Sequence, residues 1–398
     1  MRINSNKKIH KLKRDPYKTL LRMVGILAIV VVVGIGVFYL CSLAVMNDFV
    51  VKRDALDQQN AEAEVEFNAK LNAQRNQSTM GTTPENGEAV TGELPFWEKT
   101  LEDKPWRIED EGSAGLENTG TVTLERSNLI NGGLLLVNAW HSLPYDFSDT
   151  ELVSVGVSSS YKIQVDNANV KLFPPAYNAL SNILDAATAA GQVGYIVREG
   201  YRSNEEQTTM FNARMEKESK RFSGDALIEH TKTLVNYPGT SDYQTGMSFS
   251  LGLYSKTDPK LINLKFQRES EQGKWFTENC WKYGIALRFP TKDFPNSSWE
   301  DKSYKTGVSV ELNLYRFVGS AHATAMRIMD YCLEEYIEFL VDHPHICIYE
   351  DGALRYEVVR IGAAEGSASY SLPVPNPASD YQASLDNMGG IVMAYTYQ

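Results

Sequence analysis

Residues 238–254, PGTSDYQTGMSFSLGLY, have the outline of a metal-binding segment without its donors. A Pro238-Gly239 turn leads into Ser241, Gln244 and Gly246, and then into an alternating run that reads as a strand. The segment has no histidine, and its single acid is Asp242. Other potential donors are scattered: His141, His230, Asp258, His322 and the His343/His345 pair in DHPHIC. Each has an ordinary structural reading, and DHPHIC reads as an exposed loop rather than a metal pair. Cys41 lies in an apolar run, and Cys280, Cys332 and Cys347 follow much later. Three is an odd number, so they describe no disulfide framework, and no CxxC or Cys/His spacing suggests a zinc ribbon. Neither a Gly-x-Ser-x-Gly elbow nor a phosphate-binding loop is present.

Five stretches give these residues an order: LLLVNAWHSLPYDF (134–147), EGYRSNEEQTTMF (199–211), YPGTSDYQTGMSFS (237–250), WFTENCWKYGIALRFP (275–290) and KTGVSVELNLYRFVGSAHA (305–323). In this sequence and spacing the chain resembles the VanY-type D-alanyl-D-alanine carboxypeptidases, M15 zinc peptidases of bacterial cell-wall metabolism. The resemblance spans residues 132 to about 340, roughly half the chain. It implies an α+β fold of the Hedgehog/D,D-peptidase-like kind, with a central antiparallel sheet and flanking helices.

The family pattern is Ser-x-His-x-x-Gly-x-x-x-Asp followed later by Glu-x-x-His. Its two histidines and aspartate hold zinc, and its glutamate serves as general base. On this chain Ser241 and Gly246 match, while the first ligand position is Tyr243 and the second Ser250. Glu311 matches the general base, but the third ligand position is Leu314. Tyr201, Arg202, Ser203 and Gln207 match the substrate loop, and Arg316 to Gly319 match the run after the last motif. Leucine binds no metal, and serine and a neutral phenol are poor zinc ligands. The resemblance therefore implies substrate-binding positions at Arg202, Ser203, Gln207 and Ser241, a vestigial base at Glu311, and no zinc. Arg202 and Glu311 are expected to pair in the old cleft, directly or through water.

The function implied is that of a pseudopeptidase, binding a peptidoglycan stem peptide or an envelope protein without cutting. Two alternatives stand beside it: an active zinc D,D-carboxypeptidase with recruited ligands, and a structural envelope assembly protein acting through its C-terminal end.

The elements that position these residues follow from periodicity. Residues 132–140 read as a strand into a loop, and 177–191 as a helix closed by Gly191. Residues 195–203 read as a strand, and 204–221 as a helix capped by Asn204. Then come the 238–254 strand, a helix over 274–284, a strand over 308–319 and one long helix over 321–340. Asp351-Gly352 sits between two β-rich runs, a hairpin signal. Residues 345–398 read as a small β appendage to a main domain over 96–344.

The N-terminal part has a different character. Residues 1–22 hold eight Lys/Arg against one acid, Asp15, and residues 23–46 carry no charge. A helix of that length rises roughly 36 Å, enough to cross a bilayer. The positive-inside rule places 1–22 in the cytoplasm and the rest outside. Residues 47–76 read as a helical stalk and 77–95 as a flexible linker. A net charge of −11 argues against a nucleic-acid partner.

Overall fold

The computed structural model describes residues 96–398 except 113–115, 158–162, 167, 255–268, 309–310, 365, 377 and 379; of the residues before 96 it describes Val24 alone. The expected cytoplasmic tail, membrane span, stalk and linker lie outside these residues. Among the described residues no helix is long and apolar enough to cross a membrane.

The elements run β1 (Phe96–Leu101), β2 (Lys104–Asp110), β3 (Thr119–Glu125), α1 (Arg126–Ile130), β4 (Val153–Ser154), β5 (Lys171–Leu172), α2 (Pro174–Ala189), β6 (Tyr195–Glu199), α3 (Asn204–Glu218) and α4 (Asp225–Lys232). They continue with β7 (Ser248–Leu253), α5 (Glu271–Asn279), β8 (Ile285–Leu287), α6 (Ser303–Thr306), β9 (Leu314–Phe317), α7 (Ser320–Met329) and α8 (Leu333–Asp342). The chain ends with β10 (His345–Glu350), β11 (Ala353–Gly362), β12 (Ser369–Pro375), β13 (Asp380–Leu385) and β14 (Gly390–Thr396).

Two antiparallel sheets dominate. The smaller has the order β6-β7-β9-β8, and the larger β1-β2-β10-β11-β14-β13. Apolar faces of α2 and α5 cover the smaller sheet through Ile183, Phe249, Phe276 and Tyr315. The strand period of two divides the larger sheet. Val392 and Ala394 face α7 and α8 in one core, while Ile391, Met393 and Tyr395 face β12 and residues 129–137 in another. The segment 345–398 thus shares a sheet with 96–110: β10 lies between β2 and β11.

Several expected elements have different forms. Residues 133–138 are buried but are not a strand. Their backbone groups bond to other parts of the chain instead of a ladder. Leu134 N–H donates to Ser384 Oγ, Gly133 and Leu135 carbonyls accept from Arg316, and the Leu136 carbonyl accepts from Asn387. The helix expected over 321–340 is two helices, broken at Asp330 in the left-handed region (φ 56°). The cap of α3 is Ser203, not Asn204: its hydroxyl accepts the Glu206 N–H while the Glu206 carboxylate accepts the Ser203 N–H. The Asp351-Gly352 hairpin joins β10 and β11 with both turn residues at positive φ, as a primed turn requires. Cys280, Cys332 and Cys347 are all buried free thiols.

Candidate functional site

The smaller sheet brings the aligned positions together. Glu199 on β6 lies opposite Ser250 on β7, and Ser250 lies opposite Leu314 on β9. Residues 242–245 form one turn of 3₁₀ helix before β7, closed by Gly246 at φ 66°. A side chain at Gly246 would also collide with Phe173, so glycine is required there twice over. This turn delivers Tyr243 over the row.

The Tyr243 hydroxyl donates to Glu311 Oε1 at 2.8 Å, and Ser250 hydrogen-bonds the same phenol. Its ring packs with buried Leu314 and Phe289. The Arg202 guanidinium stacks on this ring, 4.5 Å from its centroid. Arg202 and Glu311, expected to pair directly or through water, make no direct ion pair: Arg202 lies over the face of the Tyr243 ring, and Glu311 accepts its hydroxyl. Arg202 is held instead by Glu199, through Nε at 2.7 Å, and by Gln207 Oε1 at 2.6 Å. Burial first, then Glu311, pushes the Tyr243 pKa well above 10. Burial raises the Glu311 pKa more than the Tyr243 hydrogen bond and Arg202 lower it.

These groups do not fit a zinc ion. Leu314 offers no lone pair, Ser250 bonds a phenol, and that phenol keeps its proton and gives its hydrogen bond to the carboxylate that would serve as base.

The other expected residues take supporting roles. Gln207 is buried and donates to the Asn236 carbonyl at 2.5 Å. Ser203 caps α3. Ser241 is buried, and its N–H shares Gln244 Oε1 with that of Gly239. Open space lies next to Arg202, in a groove of about 410 Å³ lined by Asn169, Glu199, Tyr201, Arg202, Glu205 and Glu206 among others.

A buried ionic network lies beneath this site. Asp242 accepts from Arg316 at 2.6 Å and from Arg288 at 3.0 Å, and Ser248 donates to its other oxygen. Arg288 also makes a two-pronged bond to Glu334 of α8, at 2.9 and 2.7 Å. Asn138 donates to Glu334 at 3.1 Å. Burial alone would raise the Asp242 pKa, but Arg316 and Arg288 outweigh it and hold the carboxyl below its ordinary value. The motif reading did not identify this network. Its one available signal was the Arg316 that follows the last motif.

The scattered histidines are structural or lie elsewhere. His230 stacks on Phe222 and faces Glu218 at 3.3 Å. His141 bonds Asn138, and His322 is fully buried against Tyr336. The DHPHIC loop is not an exposed loop. His343 caps α8 and pairs with Asp110 at 2.6 Å, and His345 is a buried residue of β10 paired with Glu357 at 2.7 Å.

A family model described as VanY, D-alanyl-D-alanine carboxypeptidase, matches residues 169–320, which include every residue of the Tyr243 cluster. The chain is 24% identical over 287 residues to a D-alanyl-D-alanine carboxypeptidase of Enterococcus faecium, covering 71% of this chain and 81% of that protein. It is 28% identical over 225 residues to a D-alanyl-D-alanine carboxypeptidase of Enterococcus faecalis, covering 56% and 71% respectively. Among solved structures, the vancomycin-resistance D,D-dipeptidase VanXYg, in complex with a D-Ala-D-Ala phosphinate analogue, superposes with a TM-score of 0.54 at 24% identity. That match covers 70% of this chain and 99% of the other, and shows a shared fold.

Proposed function

Given that the chain belongs, through residues 169–320, to the VanY-type D-alanyl-D-alanine carboxypeptidases of the M15 peptidase family, we propose that it binds a peptide ending in D-Ala-D-Ala without hydrolysing it. In this reading the domain sits outside the cell on a single-pass anchor at residues 23–46, where peptidoglycan stem peptides are its ligands. The observation that carries the proposal is the Tyr243–Glu311 hydrogen bond, which occupies the base at the place where the family holds its metal.

Amide hydrolysis needs a polarised carbonyl, a deprotonated water and a base. A catalytic metal supplies the first two by lowering the water pKa from 15.7 to about 7. Here the aligned positions supply a phenol, a hydroxyl and an isobutyl group, and the base is already bonded. Binding makes fewer demands. The groove beside Arg202 is lined by its guanidinium, already paired with Glu199, and by the carboxylates of Glu205 and Glu206. Such a lining suits a short peptide carrying a free carboxylate and an ammonium group.

The test is calorimetry and D-Ala release on the full chain with a D-Ala-D-Ala-terminated pentapeptide. Binding without release is expected, weakened about tenfold or more by Arg202→Ala, a loss of roughly 1.4 kcal/mol. D-Ala release that disappears in Glu311→Gln would overturn the reading in favour of a working peptidase.

A further inference from the structure

We propose that His345, Cys347 and Glu357 form a divalent transition-metal site of the zinc class on the larger sheet, separate from the peptidase-like cleft. The strand period puts His345 and Cys347 on one face of β10, and the register sets Glu357 of β11 directly opposite Cys347. Their donor atoms all lie within 4.8 Å of one another. His345 and Cys347 are buried, and Glu357 is half-buried, which leaves a path for an ion. All three stand on paired strands, with β10 flanked by β2 and β11, so the sheet fixes their relative positions.

The donor set is what the cleft lacks: one thiol sulfur, one imidazole nitrogen and one carboxylate oxygen, each a first-rank zinc ligand. Zinc bonds of about 2.0–2.3 Å at tetrahedral angles place neighbouring donors roughly 3.3–3.7 Å apart. The present arrangement reaches that by opening the His345–Glu357 contact of 2.7 Å and drawing in the sulfur, both side-chain rotations. A fourth position would fall to water or to Glu109 of β2, which also faces Cys347.

The surroundings favour a cation. Glu357, Glu111 and Glu109 all act electrostatically on Cys347. The nearby Arg107 is already paired with Glu109 at 2.9 Å. Tyr397 donates to the second oxygen of Glu357, the kind of outer bond that aims a ligating carboxylate. A bound ion would take the thiolate and release a proton. This cluster lies outside the matched family segment of 169–320 and does not depend on the function proposed for the cleft.

The experiment is Co²⁺ and Zn²⁺ binding by the full chain, followed by desalting and elemental analysis. The expected result is about one metal per chain, with a thiolate-to-Co²⁺ charge-transfer band in the near ultraviolet. Cys347→Ser and His345→Ala should each weaken binding by more than the roughly 10- to 100-fold that loss of a supporting residue costs. Glu311→Gln should leave it unchanged. A wild-type chain without the thiolate band overturns the proposal, whether or not the variants fold. So does metal content that survives Cys347→Ser and His345→Ala, which would put the ion elsewhere.

Discussion

Glu311 shows how one substitution changes the meaning of a neighbour. The resemblance assigns its carboxylate to the general-base position, and it accepts the hydroxyl of Tyr243, which the resemblance assigns to the first ligand position. Burial raises its folded pKa above the ordinary 4.5, so the folded protein keeps a proton that the unfolded chain releases. The charged form therefore costs stability as the pH rises from about 4.5 through the raised folded value. Glu311→Gln removes that cost and keeps an oxygen for Tyr243. It should gain thermal stability over the native chain at pH 7.5 but not at pH 4; melting-point differences equal at both pH values would contradict this. Tyr243→Phe leaves the carboxylate without its donor and should cost about 1–3 kcal/mol in denaturant unfolding. The identities behind these effects were readable in the sequence, because Tyr243, Ser250 and Leu314 are departures from a spaced motif. Their contacts were not. A motif says which positions share a cleft, but not that Arg202 will stack on the Tyr243 ring while Glu311 takes its hydroxyl.

At the scale of elements, the site depends on pieces that local patterning misassigns. Residues 132–138 are as apolar as a strand, and the pattern could not show that Arg316 and Asn387 would take their carbonyls. The break between α7 and α8 was equally hidden, since Asp330-Tyr331-Cys332 carries neither proline nor glycine. Helices ending in Gly191 and Gly284 and the Asp-Gly hairpin were legible because glycine at positive φ is a local requirement. Two predictions belong here. Asp242 joins the 3₁₀ turn, β9 and the start of the loop after β8, and it balances two buried guanidinium groups together with Glu334. Asp242→Asn should cost about 3–5 kcal/mol in chemical denaturation, because a buried positive charge is left unpaired; a loss below 1 kcal/mol would show that water reaches the network. His322 joins α7 to α8 through Nδ1 and the Tyr336 hydroxyl at 2.9 Å, while its Nε2 is buried without a partner. Burial lowers its pKa from 6.5 to about 3. The unfolded chain takes up this proton first, so its contribution is complete above pH 6.5 and is lost as the pH falls towards 3. Between those limits stability should fall by about 1.4 kcal/mol per pH unit from this one group. His322→Asn keeps a polar atom near Tyr336 but does not titrate, so its stability should vary less steeply over that range; an unchanged slope would place the acid sensitivity elsewhere.

On the scale of the whole molecule, the larger sheet is built from both ends of the described chain. Such pairing between residues more than 200 apart has no local signal, which is why 345–398 reads in sequence as an appendage. In the fold those residues supply four of the six strands and cover the helices that carry Glu334. Ile346, Ile348, Val358, Val392 and Ala394 pack there against Trp106, Ile108, Ile337 and Leu340. At about 1.5–3 kcal/mol for each of the four large side chains among them, their removal forfeits on the order of 6–12 kcal/mol. That equals the whole stability of a typical domain, about 5–15 kcal/mol. It would also leave β2 as a bare edge open to aggregation. Deletion of residues 345–398 should therefore yield a chain that is insoluble or rapidly proteolysed, rather than a trimmed and stable peptidase-like domain. Circular dichroism and limited proteolysis of the truncated protein decide the point. A cooperative unfolding transition in the truncation would show that the smaller sheet and its helices stand alone, and that the C-terminal strands are an addition to a complete fold.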